Sequence, residues 1–325
     1  MFETSFTAFA IASALALAGA SAQGAGYTVL VADESAPHAE FVRQLRDAGG
    51  RFELERLAGS VPAEEDRVNI GVRTRSARPS AGAAADATVT VAVGATAARA
   101  AIERPSQEPL LLAMLTRLDY EGMKSHPALR RGDRRVGVLL RDPAMADQLA
   151  LVDAVMPNKR RLGVVATAES EPLLRELQRA AAGWDLQIEY APDAKSLANA
   201  LRSVLPRSDA LMVLPDLIGD NQAAALAVLR AGAGAGVPVF GASEGLVRSG
   251  GLAAAVSTPA QLAQQARQLA QKLANGSGVG ANGASGVLVE AATPATVRVN
   301  TTVARGLGLR LPDERELTER VTAVR

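Results

Sequence analysis

From Leu162 onward, short apolar runs rich in β-branched residues return at a near-constant interval, and this spacing narrows the fold more than any other feature. The runs open at Leu162 (LGVVAT), Leu186 (LQIEY), Leu211 (LMVLP) and Val237 (VPVFG), which are 24, 25 and 26 residues apart. Each interval holds one strand and one helix. Ser170, Asp193 and Asp220 supply polar openings for three such helices. Strands that are apolar throughout and alternate with helices predict a parallel sheet covered on both faces.

The first half carries the same rhythm. Tyr27–Ala32 reads as a strand, followed by a helix capped at Ser35 with Phe41 and Leu45 on its inner face and Gly49-Gly50 at its end. Arg51–Leu57, Thr88–Val93, Leu110–Leu115 and Arg135–Leu140 read as further strands, with a helix from Gly94-Ala95-Thr96 to Glu103. Asp142-Pro143 reads as the cap of a helix through Met145, Leu149 and Val152. Thr258-Pro259-Ala260-Gln261 is a capping box. Gly232–Gly236 follows a helix and precedes a strand, so it reads as a helix end and not as a dinucleotide loop. Residues 72–86 and Asn275–Gly286 read as surface connections, and a final strand near 294–300 precedes a helix from Asp313. The expected fold class is α/β, with two doubly wound parallel-sheet lobes.

Composition removes many functions. A net charge of +1 excludes a polybasic nucleic-acid footprint. Cysteine is absent, so no thiol nucleophile, disulfide or lipidated cysteine is available. Two histidines leave a histidine-rich metal site without ligands. No P-loop, G-x-S-x-G elbow or H-E-x-x-H motif occurs. Aromatics make up 3% of the chain, too few for stacked sugar clamps, and Trp184 opens a strand. The reading is therefore a protein that is not an enzyme and needs neither cofactor nor metal.

Thr7–Ala22 (TAFAIASALALAGASA) is an apolar run closed by small residues, the form of a cleaved secretory signal over residues 1–22. It is shorter than the roughly 20 apolar residues of a membrane span, although its leading segment holds Glu3 and no Lys or Arg. A soluble, periplasmic protein is expected. A transcription regulator of this fold would need a DNA-binding element where this leader stands.

In doubly wound sheets, ligands bind beyond the carboxyl ends of the strands, facing helix N-termini. The polar residues just after each expected strand are Glu34, Ser35, Gly94, Ala95, Thr96 and Thr116, then Thr167, Asp216, Ser243 and Glu244. Ser35, Ser170 and Thr258 also suit plain helix capping. Asp216 reads as a cleft residue, because Asp220 is the more natural cap. For a zwitterion, Asp216 and Glu244 would face the ammonium.

The runs DQLALVDAVMPNKRRLGVV, DALMVLPD, GVPVFGASEGLVRSGGLAAAVSTPAQLAQQARQLAQKL and VNTTVARGLGLRLPDE, in this order, resemble ABC-transporter substrate-binding proteins related to the tryptophan-binding component. The resemblance implies a type I periplasmic binding fold with three crossovers between its lobes. It would place an N-terminal lobe at 23–140 with 258–297 returning to it, and a C-terminal lobe at 141–257 with 298–325. The crossovers would lie near 140–142, Ser257–Thr258 and 296–300. It implies a cleft formed by Glu34, Ser35, Asp216, Ser243 and Glu244, a monomer, a small-molecule ligand and an ABC permease as partner. The first half is shorter than the family pattern, which leaves a sensor or interaction module with an atrophied N-lobe site as the alternative.

Overall fold

Aliphatic runs become strands and their capped neighbours become helices throughout the residues described by a computed structural model, 26–47, 49–57, 88–130, 132–276, 286–293 and 296–323. The leader, the 72–86 stretch and most of the glycine-rich connection lie outside the described residues. β1 (Gly26–Val31), α1 (Ala36–Asp47), β2 (Phe52–Arg56), β3 (Thr88–Val93), α2 (Ala95–Glu103), β4 (Leu110–Leu115), α3 (Arg117–Met123), α4 (Pro127–Arg130) and β5 (Val136–Pro143) come first. Then follow α5 (Met145–Val155), β6 (Arg161–Ala166), α6 (Glu171–Ala180), β7 (Asp185–Tyr190), α7 (Ala194–Val204), β8 (Ala210–Val213) and α8 (Leu217–Asp220). α9 (Gln222–Ala235), β9 (Val239–Gly241), α10 (Glu244–Arg248) and β10 (Ala253–Val256) complete this run. The chain ends with α11 (Pro259–Ala274), β11 (Leu288–Ala292), β12 (Thr296–Val299), α12 (Thr301–Gly306) and α13 (Glu314–Ala323).

These strands form two six-stranded sheets, ordered β2-β1-β3-β4-β5-β11 and β7-β6-β8-β9-β10-β12. Every pairing is parallel except β10 with β12. Both sheets carry helices on both faces, so the fold is α/β with two doubly wound lobes of the type I periplasmic binding kind. In the first lobe, Phe41 and Leu45 of α1 meet Leu262, Ala266, Leu269 and Leu273 of α11 in one core, while α2 covers the other face. Burying each of those large side chains contributes about 1.5–3 kcal/mol. In the second, α5, α6 and α13 pack on one face, α7 and α9 on the other.

The chain passes between the lobes three times: from β5 into α5, from β10 into α11, and between β11 and β12. The first passage follows Pro143, later than 140–142, because β5 continues as a strand through Asp142-Pro143 instead of opening a helix there. The third lies between Ala292 and Thr296, earlier than 296–300, because β12 already belongs to the second sheet. Gln148 of α5 binds both backbone groups of Ala255, its Nε2 donating to the carbonyl at 2.9 Å and its Oε1 accepting from the amide at 3.4 Å. It thereby ties the first passage to the second. Gly236 ends α9 in the left-handed region at φ 68°, as a helix terminus there requires. Among the described residues no helix is long and apolar enough to cross a membrane.

Candidate functional site

Because all the parallel strands of a lobe end on the same side, their following loops gather into one rim, and the two rims face each other. Between them lies a cleft of about 750 Å³. The first lobe lends the start of α1 with Ser35 and His38, Met114 at the end of β4, and Arg141–Pro143 at the end of β5. The second lends Val213–Pro215 after β8, Asp220, Ala242–Glu244 after β9, and Arg298 from β12.

Three of the residues picked from the sequence meet in this cleft: Ser35, Ser243 and Glu244. Ser243 also caps α10, accepting from the Leu246 amide at 3.1 Å. Glu244 is half exposed and pairs with Arg248 at 3.1 Å. The other seven are placed elsewhere, each for a local reason. Glu34 turns aside to receive Arg56 Nε at 2.6 Å. Thr116 closes a capping box with Asp119 at the start of α3. Thr167 caps a 3-10 turn at Ala168–Ser170, its Oγ1 3.0 Å from Ser170 Oγ. Gly94, Ala95 and Thr96 open α2 behind His38. At Gly94, φ is 81° and a Cβ would stand 2.8 Å from His38 Cε1, so the position demands glycine to seat the imidazole.

Asp216 corrects the sequence reading most sharply. It is 1% exposed and does not line the cleft. Its Oδ1 accepts from the amides of Ile218 (2.9 Å) and Gly219 (3.1 Å), and Ser170 Oγ donates to its Oδ2. Asp216 is thus the N-cap of α8, and Asn221, not Asp220, caps α9. Burial pushes its carboxyl above the usual range, against the opposing pull of Ser170 and the two amides. Asp220, freed from capping, turns toward the cleft.

The residues the sequence reading passed over carry most of the site's charge. His38 Nδ1 lies 2.7 Å from Asp33 Oδ1, which fixes the ring at the rim. Met114 has φ 61°, an uncommon conformation for a residue with a Cβ, where the β4–β5 register shifts. Holding it there costs about 1–3 kcal/mol, an outlay typical of ligand sites. Asp142 ends β5 with its Oδ2 closed from solvent and without a hydrogen-bond partner. Burial pushes its carboxyl up to about 6, only partly opposed by Arg141. Arg141 stands 3.6 Å from Asp142 Oδ1 and 3.6 Å from Asp220 Oδ1, reaching across between the lobes. Arg298 pairs with Glu314 at 3.2 Å, yet its buried Nε has no hydrogen-bond partner, and a carboxylate oxygen of Glu244 lies 4.0 Å from it. Asp142 was legible in principle, as a polar residue after a strand. Arg298 lies on an antiparallel strand, where the strand-end rule gives no signal. The arrangement is a concave, largely aliphatic site with charges of both signs on its walls and one buried polar atom left unpaired on each side.

Similar folds occur in solved proteins. A complex with L-Trp from Streptococcus pneumonia is 16% identical, covering 91% of this chain and 98% of that one with a TM-score of 0.54. A ligand-free, open substrate binding protein with adhesive properties from Clostridium difficile is 17% identical, covering 89% and 96% with a TM-score of 0.62. A conserved domain protein from Vibrio cholerae is 20% identical, covering 91% and 98% with a TM-score of 0.54. At these identities the likeness concerns the fold. No curated protein matches the sequence. The family model for the ABC transporter substrate binding protein spans residues 83–320, well over half of the sequence, and takes in nearly every element that builds the cleft: the chain belongs to that family.

Proposed function

We propose that the protein is the periplasmic solute-binding component of an ABC transporter, capturing a small amino-acid-like or organic solute between its lobes and delivering it to a permease. The observation that carries this reading is the pair Asp142 Oδ2 and Arg298 Nε, buried atoms of opposite charge, without hydrogen-bond partners, on opposite walls of one cleft. A buried polar group left unpaired costs about 1–3 kcal/mol. A solute offering a cation to the Asp142 carboxylate and an acceptor to the Arg298 guanidinium, each turning to present its closed atom, would relieve both, and would bind the two lobes together as it did so. Ser35, Ser243 and Glu244 complete the contact surface. Function is then capture and release without catalysis, outside the cytoplasm after removal of residues 1–22, and as a monomer. Thermal-shift measurements against amino acids, other carboxylates, amines and sugars test the reading: a rise of several degrees with one chemical class is expected, and a melting temperature unmoved by every solute would overturn it.

A further inference from the structure

Resting on that reading of the cleft, the arrangement of Arg141 points to the class of solute. Its guanidinium stands 3.6 Å from a carboxylate oxygen of Asp142 in the first lobe and 3.6 Å from one of Asp220 in the second. Both separations exceed hydrogen-bond length, so neither contact is a formed charge-assisted bond. Arg141 is 39% exposed, and Asp220 57%. Asp142 keeps one oxygen shut from solvent with no partner at all. A cation therefore sits near two carboxylates from opposing lobes and satisfies neither.

The balance of the walls agrees. Four carboxylates line the cleft (Glu40, Asp142, Asp220 and Glu244) against two guanidiniums, Arg141 and Arg298. None of the residues described along this lining is Phe, Tyr or Trp. A quaternary ammonium, which is held by aromatic faces, finds no matching surface, and an aromatic ring finds no partner ring to stack on. A primary ammonium has three donors on a compact charge. It can enter between two carboxylates where a planar, wider guanidinium makes only loose approaches.

We propose that Arg141 is a placeholder in the ligand-free cleft, and that an aliphatic solute bearing a primary ammonium displaces it, seating that ammonium between Asp142 and Asp220. The two aspartates then set the ligand class, and because one belongs to each lobe, the same contact closes the cleft. Arg141 competes with the ligand it resembles in charge.

Isothermal titration with L-leucine, L-lysine, 4-aminobutyrate and putrescine, beside 4-methylpentanoate, L-tryptophan and choline, tests this on the wild type and two variants. At least one aliphatic ammonium compound should bind, while choline, L-tryptophan and the amine-free acid should not. Asp220→Asn should weaken the binding compound about 10- to 100-fold, the loss of one charge-assisted hydrogen bond. Arg141→Met should strengthen its binding severalfold, because the competing cation is gone. Both side chains are exposed enough for the variants to fold, which unchanged melting temperatures would verify. Binding confined to choline, tryptophan, the amine-free acid or a sugar would overturn the placeholder while leaving solute capture standing. So would an Arg141→Met variant that binds no more tightly than the wild type, or an Asp220→Asn variant that binds equally well. Silence from every compound, these and the wider solute set together, would remove both.

Discussion

Asp142 lies at the end of a strand and Asp216 just beyond one; both are shielded from solvent, and burial pushes both carboxyls upward. Their consequences diverge because only one is satisfied. Asp216 receives two amides and a hydroxyl, so Asp216→Ala should destabilise the unliganded protein by about 1–2 kcal/mol in chemical denaturation, with ligand affinity nearly unchanged. Asp142 behaves in the opposite sense. Its carboxyl titrates near 3.8 when unfolded and is pushed up to about 6 in the folded protein, so the folded state binds the extra proton between those values. Its contribution to stability is full below about pH 3.8 and is lost as pH rises through 6. Asp142→Asn should therefore stabilise the free protein above pH 6, by on the order of 1–3 kcal/mol, while abolishing capture of a cationic solute. Melting curves of both variants at pH 5 and 8 separate the two roles. In the wild type, affinity for an ammonium ligand should fall by up to tenfold per pH unit below 6 as Asp142 takes up its proton. Arg141, Asp220, Asp119 and Arg117 are the charged groups felt by that carboxyl. From sequence the two aspartates take the reverse roles, Asp142 as a helix cap and Asp216 as a cleft residue, because the one-turn helix that claims Asp216 is too short to leave a periodic signal.

At the scale of elements, the second half was legible because its strands are uninterrupted and its helices open on recognisable caps. The capping box at Thr258 forms with both reciprocal bonds, and α7 opens on Asp193. The Asp142-Pro143 pair misled, since Asp and Pro favour a helix start as much as a strand end. Pairing of Pro143 with Ala292 on β11 settles it as strand. β11 itself, α3 and α12 left little trace in the sequence: they are short, partly exposed and defined by their neighbours. Gln148 is similarly invisible as a structural device. Beyond the last β9–β10 pair, Gly241 with Ala254, its amide binds the next β10 residue, Ala255. Gln148→Leu would strand those buried groups and should cost about 1–3 kcal/mol in denaturation, with the fastest new amide exchange at 253–258.

Across the whole molecule, the two lobes also touch through α3 and α6, where Arg117 meets Glu176 at 3.0 Å. The same glutamate accepts from the Met145 amide at 3.0 Å, just past the first passage between lobes. This partly buried link restrains how the lobes tilt. Arg117→Met should broaden the range of lobe orientations seen by small-angle scattering of the ligand-free protein, while moving the denaturation free energy by about 1 kcal/mol or less. The threefold passage has a consequence for how the chain comes together in time. Five strands of the second sheet, β6 to β10, are complete once residue 256 is available, whereas the first sheet still awaits α11 and β11. Until those arrive, β5 has an open edge and the Phe41–Leu45 face of α1 has no lid. A chain emerging from its N-terminus thus closes its earlier lobe only at β11, and finishes the interior of its later lobe only after that, when β12, α12 and α13 add Val297, Ala304, Leu317 and Val321 to its core. Neither lobe can be sealed before the last third of the chain has arrived, and the second is sealed last.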